Sequence, residues 1–266
     1  MLNILFNPLK AERHPLELFL VGIFYSSLSV ILGVWIFNKS ASLAIVFLTV
    51  ISCLYIVQGA IRIEEKKEKN YLSERWILNE HKRVMFMILS LFLGFTVSFM
   101  LWSFFLPPEI TETVFSLQKV SVEQIKAITG NTIFEGPVIK IFLNNINIVF
   151  ISLVFALFYG AGAVYILTWN ASVMGYVMGT LARETVGLTA IPLVMTKYFL
   201  HGIPEMIAYI LAAISGGILY FAFIKGDLTK KDRVKRILMD VFVLVLLSIF
   251  LLFISVLIEV YISTLL

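Results

Sequence analysis

His201 and Glu205 lie four residues apart in HGIPEMIAYILAAISGG (201–217), at the head of an otherwise apolar stretch. Four residues is about one helical turn, so on a helix the imidazole and the carboxylate share a face. Such a pair could relay a proton or contribute to a metal site. A metal site needs three or four ligands, and His14 and His81 lie in other loops; neither a metal nor a cofactor is expected. The simpler reading is structural. Pro204 suits the first turn of a helix, where its missing N–H costs nothing. Glu205 then sits where the helix dipole favours an anion. On that reading Gly202-Ile203-Pro204-Glu205 begins a helix. Ionisable groups at membrane depth are costly and usually paired. Arg183, Lys197 and His201 are candidate charge partners for Glu205, with Glu184 beside Arg183.

Four further amides interrupt the apolar runs. Asn144, Asn145 and Asn147 enter one of them and Asn170 ends it. Amides in membranes commonly join helices by hydrogen bonds worth about 0.6–2 kcal/mol; the same groups could line a polar path. Asn144, Asn145, Asn170, His201 and Glu205 are the candidate functional polar cluster. The sequon Asn170-Ala171-Ser172 falls at the inner face in the topology below and is set aside. Gly160, Gly175, Gly179, Gly216 and Gly217 are candidate packing positions, and Gly175-xxx-Gly179 is a small-residue step that lets helices approach closely. That spacing leaves open whether the contact is within one chain or between copies in a homo-oligomer.

No catalytic signature accompanies these residues. G-x-S-x-G, H-E-x-x-H, a P-loop and a dinucleotide fingerprint are all missing, so the chain is not expected to be an enzyme. Glu64-Glu65 lie in a charged loop without membrane histidines, and the single Cys53 cannot form an intrachain disulfide.

The elements that must position these groups follow from composition. The chain of 266 residues is 60% hydrophobic and only 14% charged, against about 25% charged in soluble domains. It is an integral membrane protein, and the bilayer is its first partner. The net charge of +4 reflects basic residues clustered in short loops and is no nucleic-acid signal. A span needs roughly 20 apolar residues. Candidates are Leu18 to Asn38, Ser40 to Ile61 after a tight turn at Asn38-Lys39-Ser40, Val84 to Pro108, Met206 to Ile224, and Val241 to Ile258. The first is read as a retained span. The run Ile141 to Ala182 is uncharged over 42 residues, about 63 Å as one helix at 1.5 Å per residue, so it must turn. Trp169-Asn170 is the expected place.

Lys and Arg counts orient the chain. The 62–83 loop holds seven and 225–236 holds six; with Lys10 and Arg13 these belong on the cytoplasmic side. The sparsely basic 38–40, 107–140 and the C-terminal tail belong outside. Outside at Lys140 and inside at Lys225 demands an odd number of crossings. Two half-spans around Arg183-Glu184 would supply the third as a broken helix, with a re-entrant loop as the competing reading. The 62–83 loop reads as a solvated continuation of the second span. In 107–140, Ser121 with Gln124 is a capping-box pattern, expected to start a short amphipathic helix bearing Val122, Ile125, Ile128 and Thr129 and ending at Gly130-Asn131. It would lie on the membrane surface or cover the bundle.

The order Asn144-Asn145, a span through Gly160 and Gly162, Asn170, Gly175, then His201-Gly202-Ile203-Pro204-Glu205 before an Ala/Gly-rich span resembles the stage II sporulation protein M family, archaeal-type members included. The likeness covers roughly 140–224. It implies a membrane scaffold that holds cell-wall-degrading partners without being the hydrolase, and it implies that Asn145, Asn170, His201 and Glu205 are shared positions.

The expectation is therefore an all-α, polytopic transmembrane bundle of about six full spans plus a broken or re-entrant segment near 170–202. Its regions are 1–106, with three spans and a charged cytoplasmic loop; 107–140, extracytoplasmic; 141–224, the core that carries the resemblance; and 225–266, a basic loop and last span. The expected role is a non-enzymatic scaffold or assembly factor in the cell membrane, with its N-terminus cytoplasmic and C-terminus extracytoplasmic. Its partner would be another membrane or surface protein. The alternative is a transporter or channel with its polar site at the broken helix.

Overall fold

A computed structural model of the chain describes residues 14–68, 77–130, 137–159, 163–185, 187–226 and 231–261. These residues are almost entirely helical and contain no strand. In order the helices are α1 (Pro15–Leu32), α2 (Ala41–Glu68), α3 (Ile77–Phe105), α4 (Pro108–Val114), α5 (Ser116–Gly130), α6 (Pro137–Tyr159), α7 (Ala163–Glu184), α8 (Ile191–Ile224) and α9 (Lys231–Tyr261). The all-α transmembrane bundle stands. Five segments are long and apolar enough to cross a membrane: Pro15–Gly59, Lys82–Phe105, Val138–Phe158, Gly187–Ile224 and Arg233–Tyr261. The first holds two helices. A π-helical turn, Gly33–Phe37, and a 3-10 turn, Asn38–Ser40, separate α1 from α2, and Asn38 takes a positive φ of 37°. The tight turn falls where the sequence put it.

Side-chain contacts fix the helix directions. Ser27 of α1 bonds Ser98 of α3 (2.9 Å), and Gly22 lies against Leu91 and Gly94, so α1 and α3 run parallel. Gly175 and Gly179 of α7 let that helix press on α3. A Cβ at Gly175 would stand 2.9 Å from the Thr96 carbonyl oxygen, and one at Gly179 would strike the Met100 carbonyl. The small-residue step is thus a contact within the chain. Gly216 of α8 seats on Leu153 and Ala156 of α6 in the same way, and Gly217 is buried. Gly160 lies outside the described residues.

The C-terminal half corrects three expectations about where helices break. The long uncharged run forms two helices, α6 ending at Tyr159 and α7 beginning at Ala163, and Trp169-Asn170 sits inside α7. Asn170 does not interrupt the helix because its amide nitrogen donates to the Ile166 carbonyl one turn back (2.8 Å). Pro204 does not start a helix. It lies inside the 34-residue α8, whose initial proline is Pro192. The missing Pro204 N–H leaves the Leu200 carbonyl without its helical donor, and Ser255 of α9 donates to the adjacent His201 carbonyl (2.7 Å). The interruption within 170–202 is a 3-10 turn, Gly187–Ala190, with Gly187 at φ 72°. Three long helices, α6, α7 and α8, occupy the stretch from Pro137 to Ile224.

α7 differs from the other long helices. It carries Asn170 and Arg183 and is not among the five apolar segments. Yet no described residue from Val164 to Arg183 is exposed. Protein surrounds it, chiefly α3, α8 and α2, which is where polar groups at membrane depth are affordable.

α4 and α5 cap one end of the bundle. Pro107-Pro108 closes α3 and opens α4, as the sequence indicated. α5 begins at Ser116, five residues before the expected cap, so Ser121 is an internal residue. Side chains at Ile125, Ile128 and Thr129 lie outside the described residues, as does Asn131.

Candidate functional site

The start of α6, the middle of α7, the first half of α8 and the end of α9 enclose a cavity of about 350 Å³. α6 contributes Lys140, Ile141, Asn144 and Asn145; α7 contributes Asn170, Val173, Met174 and Val177. α8 contributes Tyr198, His201, Glu205 and Met206, α9 contributes Glu259 and α5 contributes Val122. All five residues of the candidate polar cluster therefore line one space, from three helices. Asn147, four positions from Leu143 on the outer face of α6, does not line it.

Each element delivers its group for a local reason. Glu205 lies 14 residues into α8, about 20 Å along the helix at 1.5 Å per residue. Its Oε1 accepts a hydrogen bond from the Tyr209 hydroxyl (2.6 Å), one turn further on. Tyr209 is fully buried, so this bond holds the carboxylate against the cavity floor. Asn145 is 5% exposed, and its Oδ1 accepts from Asn144 Nδ2 at 3.3 Å. His201 stacks obliquely on Tyr198, with ring centroids 6.0 Å apart. Its buried Nδ1 has no hydrogen-bond partner among the described residues. Gly202 allows Met174 of α7 to lie across α8 beside these groups.

The cavity is blind. Below Met206, residues Ala208 to Ile214 of α8 are at most 2% exposed and pack into the main apolar core. Ser248 of α9 ties this lower half to its neighbour by donating to the Ala208 carbonyl (2.8 Å).

The expected charge partners go elsewhere. Arg183 Nη1 donates to the Leu106 carbonyl (2.9 Å) and reaches Thr111 Oγ1 (3.4 Å), capping the exit of α3. Neither Arg183 nor Lys197 forms an ion pair with Glu205, and Glu184 is exposed at the end of α7. The sequence reading missed Tyr209, Tyr198, Glu259 and Lys140. Tyr209 was visible as the i+4 neighbour of Glu205, and Glu259 as a carboxylate closing the last apolar span. Among the described residues no group of three His, Cys, Asp or Glu side chains is placed to hold a metal ion.

A second constellation fastens the cap to the bundle. Gln118 of α5 is fully buried; its Oε1 accepts from Ser42 of α2 (2.6 Å) and its Nε2 donates to Ser172 of α7 (3.0 Å). The Ser42 hydroxyl also accepts from the Leu117 backbone N–H (3.0 Å). Phe115, at the elbow between α4 and α5, sits edge-on to Phe99 and stacks on Tyr176 at 5.7 Å. Nothing in the sequence marked Gln118 beyond its polarity.

The family model described as "Stage II sporulation protein M" matches residues 18–264 of this chain. No curated protein matches it. No solved structure matches it.

Proposed function

Because the chain belongs to the stage II sporulation protein M family, we propose that it is a non-enzymatic scaffold or assembly factor of the cell membrane, presenting the α4–α5 cap to a membrane or surface protein partner. The observation that carries this is the way the cap is held. One buried glutamine joins α5 to both α2 and α7, and Arg183 locks the entry to α4. Fully satisfied buried polar bonds rigidify and specify one arrangement. A cap fixed in that way keeps its outer surface in a set position, which a docking platform needs. That surface carries the exposed apolar residues Ile110, Leu117 and Val120 beside the Glu112–Lys119 pair.

The orientation we assign is N-terminus cytoplasmic and cap extracytoplasmic. The basic segments 62–83 and 225–236 support it, since both adjoin the helix ends opposite the cap. The experiment is a tagged purification from native membranes in gentle detergent, comparing wild type with the surface double variant Leu117→Arg, Val120→Arg. The expected result is a stoichiometric partner with wild type that is lost from a variant of unchanged thermal stability. A wild-type chain that purifies alone would contradict the reading.

The polar cavity favours a second role, ligand handling. In the closed packing below Met206 it supports binding more directly than conduction. Flux of a bound ligand across liposomes would extend it to transport.

A further inference from the structure

We propose that the cavity between α6, α7, α8 and α9 binds the primary ammonium group of a ligand that also carries an oxygen acceptor. This is independent of the scaffold reading: it concerns the bundle interior, where that reading concerns the cap. The argument starts from the hydrogen-bond valences left over at the cavity wall. Glu205 has one oxygen engaged by Tyr209, which leaves Oε2 for a ligand. The bond from Asn170 to the Ile166 carbonyl can come only from the amide nitrogen. It fixes that side chain and leaves Oδ1 without a protein partner at the cavity wall. Asn145 presents the opposite polarity. Its Oδ1 is engaged by Asn144, while its amide nitrogen has no protein partner, in a side chain 5% exposed that lines the same space.

Acceptors on α7 and α8, a donor on α6 and the Glu259 carboxylate of α9 therefore line one space of about 350 Å³. Among the described residues Glu205 is hydrogen-bonded only to a neutral phenol, and an ionised carboxylate at this depth calls for a counter-cation. Separate acceptors on two helices suit a group with several N–H donors. That favours a primary ammonium over a quaternary one, which has none. The Asn145 donor then suits an oxygen elsewhere on the same ligand. Lys140 on the cavity wall suits an anionic group on it, such as a phosphate. Such an amine occurs free or as part of a lipid headgroup, and Lys140 separates the two sources.

The test uses the full chain in detergent, titrated by calorimetry with ethanolamine, choline, O-phosphoethanolamine and sodium chloride. Ethanolamine should bind and choline should not. Glu205→Gln should weaken ethanolamine roughly 10- to 100-fold, the loss of a charge-assisted bond. Should that variant fail to fold, Asn170→Leu provides the second check, with a loss of about fivefold. Lys140→Ala weakening O-phosphoethanolamine but not ethanolamine assigns the site to a headgroup; equal effects assign it to a free amine. Both outcomes support an ammonium site. No binding by any amine, choline binding as well as ethanolamine, a response to sodium alone, or affinity indifferent to both Glu205→Gln and Asn170→Leu would overturn it.

Discussion

The two halves of α8 belong to one unbroken helix and live in different solvents. Its first half, to Met206, borders a polar cavity across which α6, α7 and α9 present amides and carboxylates. Its second half, from Ala208, is dry, with Ala, Gly and Ser allowing α6 and α9 to close in. The difference teaches how one helix can hold a bundle together and still offer a site. Close packing below fixes the positions of the groups above, through Tyr209 in particular, whose ring is buried in the dry half and whose hydroxyl holds Glu205 in the wet one.

Glycine substitutions should separate the halves most strongly. A Cβ at Gly216 would meet the Leu153 backbone carbonyl and, at 2.9 Å, the Ala156 Cβ. Gly216→Ala must push two helices apart and should cost about 3 kcal/mol. A Cβ at Gly202 meets only the flexible end of Met174, so Gly202→Ala should cost under about 1 kcal/mol. Thermal unfolding of the two purified variants checks the contrast, and equal losses would erase it.

Tyr209→Phe tests the link between the halves. It removes the Tyr209 hydrogen bond to Glu205 while keeping the buried ring, so stability should fall by about 1 kcal/mol. Ethanolamine affinity should fall with it if the carboxylate is held for binding. A smaller effect is expected from Ser248→Ala. It deletes one interhelical bond to the Ala208 carbonyl and should cost about 0.6 kcal/mol, the usual size for such bonds in membranes.

How legible these regions were differs for physical reasons. The turn at Asn38 and the stop at Pro107-Pro108 were readable because backbone chemistry alone enforces them. The break of the long apolar run was misplaced because Asn170 looks like an interruption on any hydropathy scale. In place it satisfies itself on the Ile166 carbonyl and is shielded by neighbouring helices. The Gly160-Ala161-Gly162 stretch was the available signal. The proline rule was sound but attached to the wrong proline: Pro192 opens α8 and Pro204 is internal. The polar cluster residues were nameable as residue types, whereas their meeting in one cavity depends on α6 and α8 running parallel, a tertiary fact. Gln118 was invisible because a buried glutamine and a surface one read alike.

The smallest effect is expected at the cap. The Lys119 ammonium hydrogen-bonded to Glu112 (2.8 Å) holds that carboxyl below its ordinary value. A lowered folded-state pKa stabilises above the ordinary glutamate range, and that contribution is lost as pH falls through the lowered value. The pair lies on the solvent-facing surface and surface pairs contribute little, so Glu112→Gln should leave the unfolding midpoint unchanged at neutral pH. A clear drop would mean that the cap is held by its surface as well as by Gln118.

The most direct measurement is thiol accessibility along α8. Single cysteines at His201 and at Ala212, in a chain whose native Cys53 is fully buried, would be exposed to a membrane-impermeant maleimide applied from the cap side. The account predicts labelling at 201, slowed by ethanolamine, and full protection at 212. Protection at both positions, or equal labelling at both, would contradict a helix divided between a cavity and a dry core.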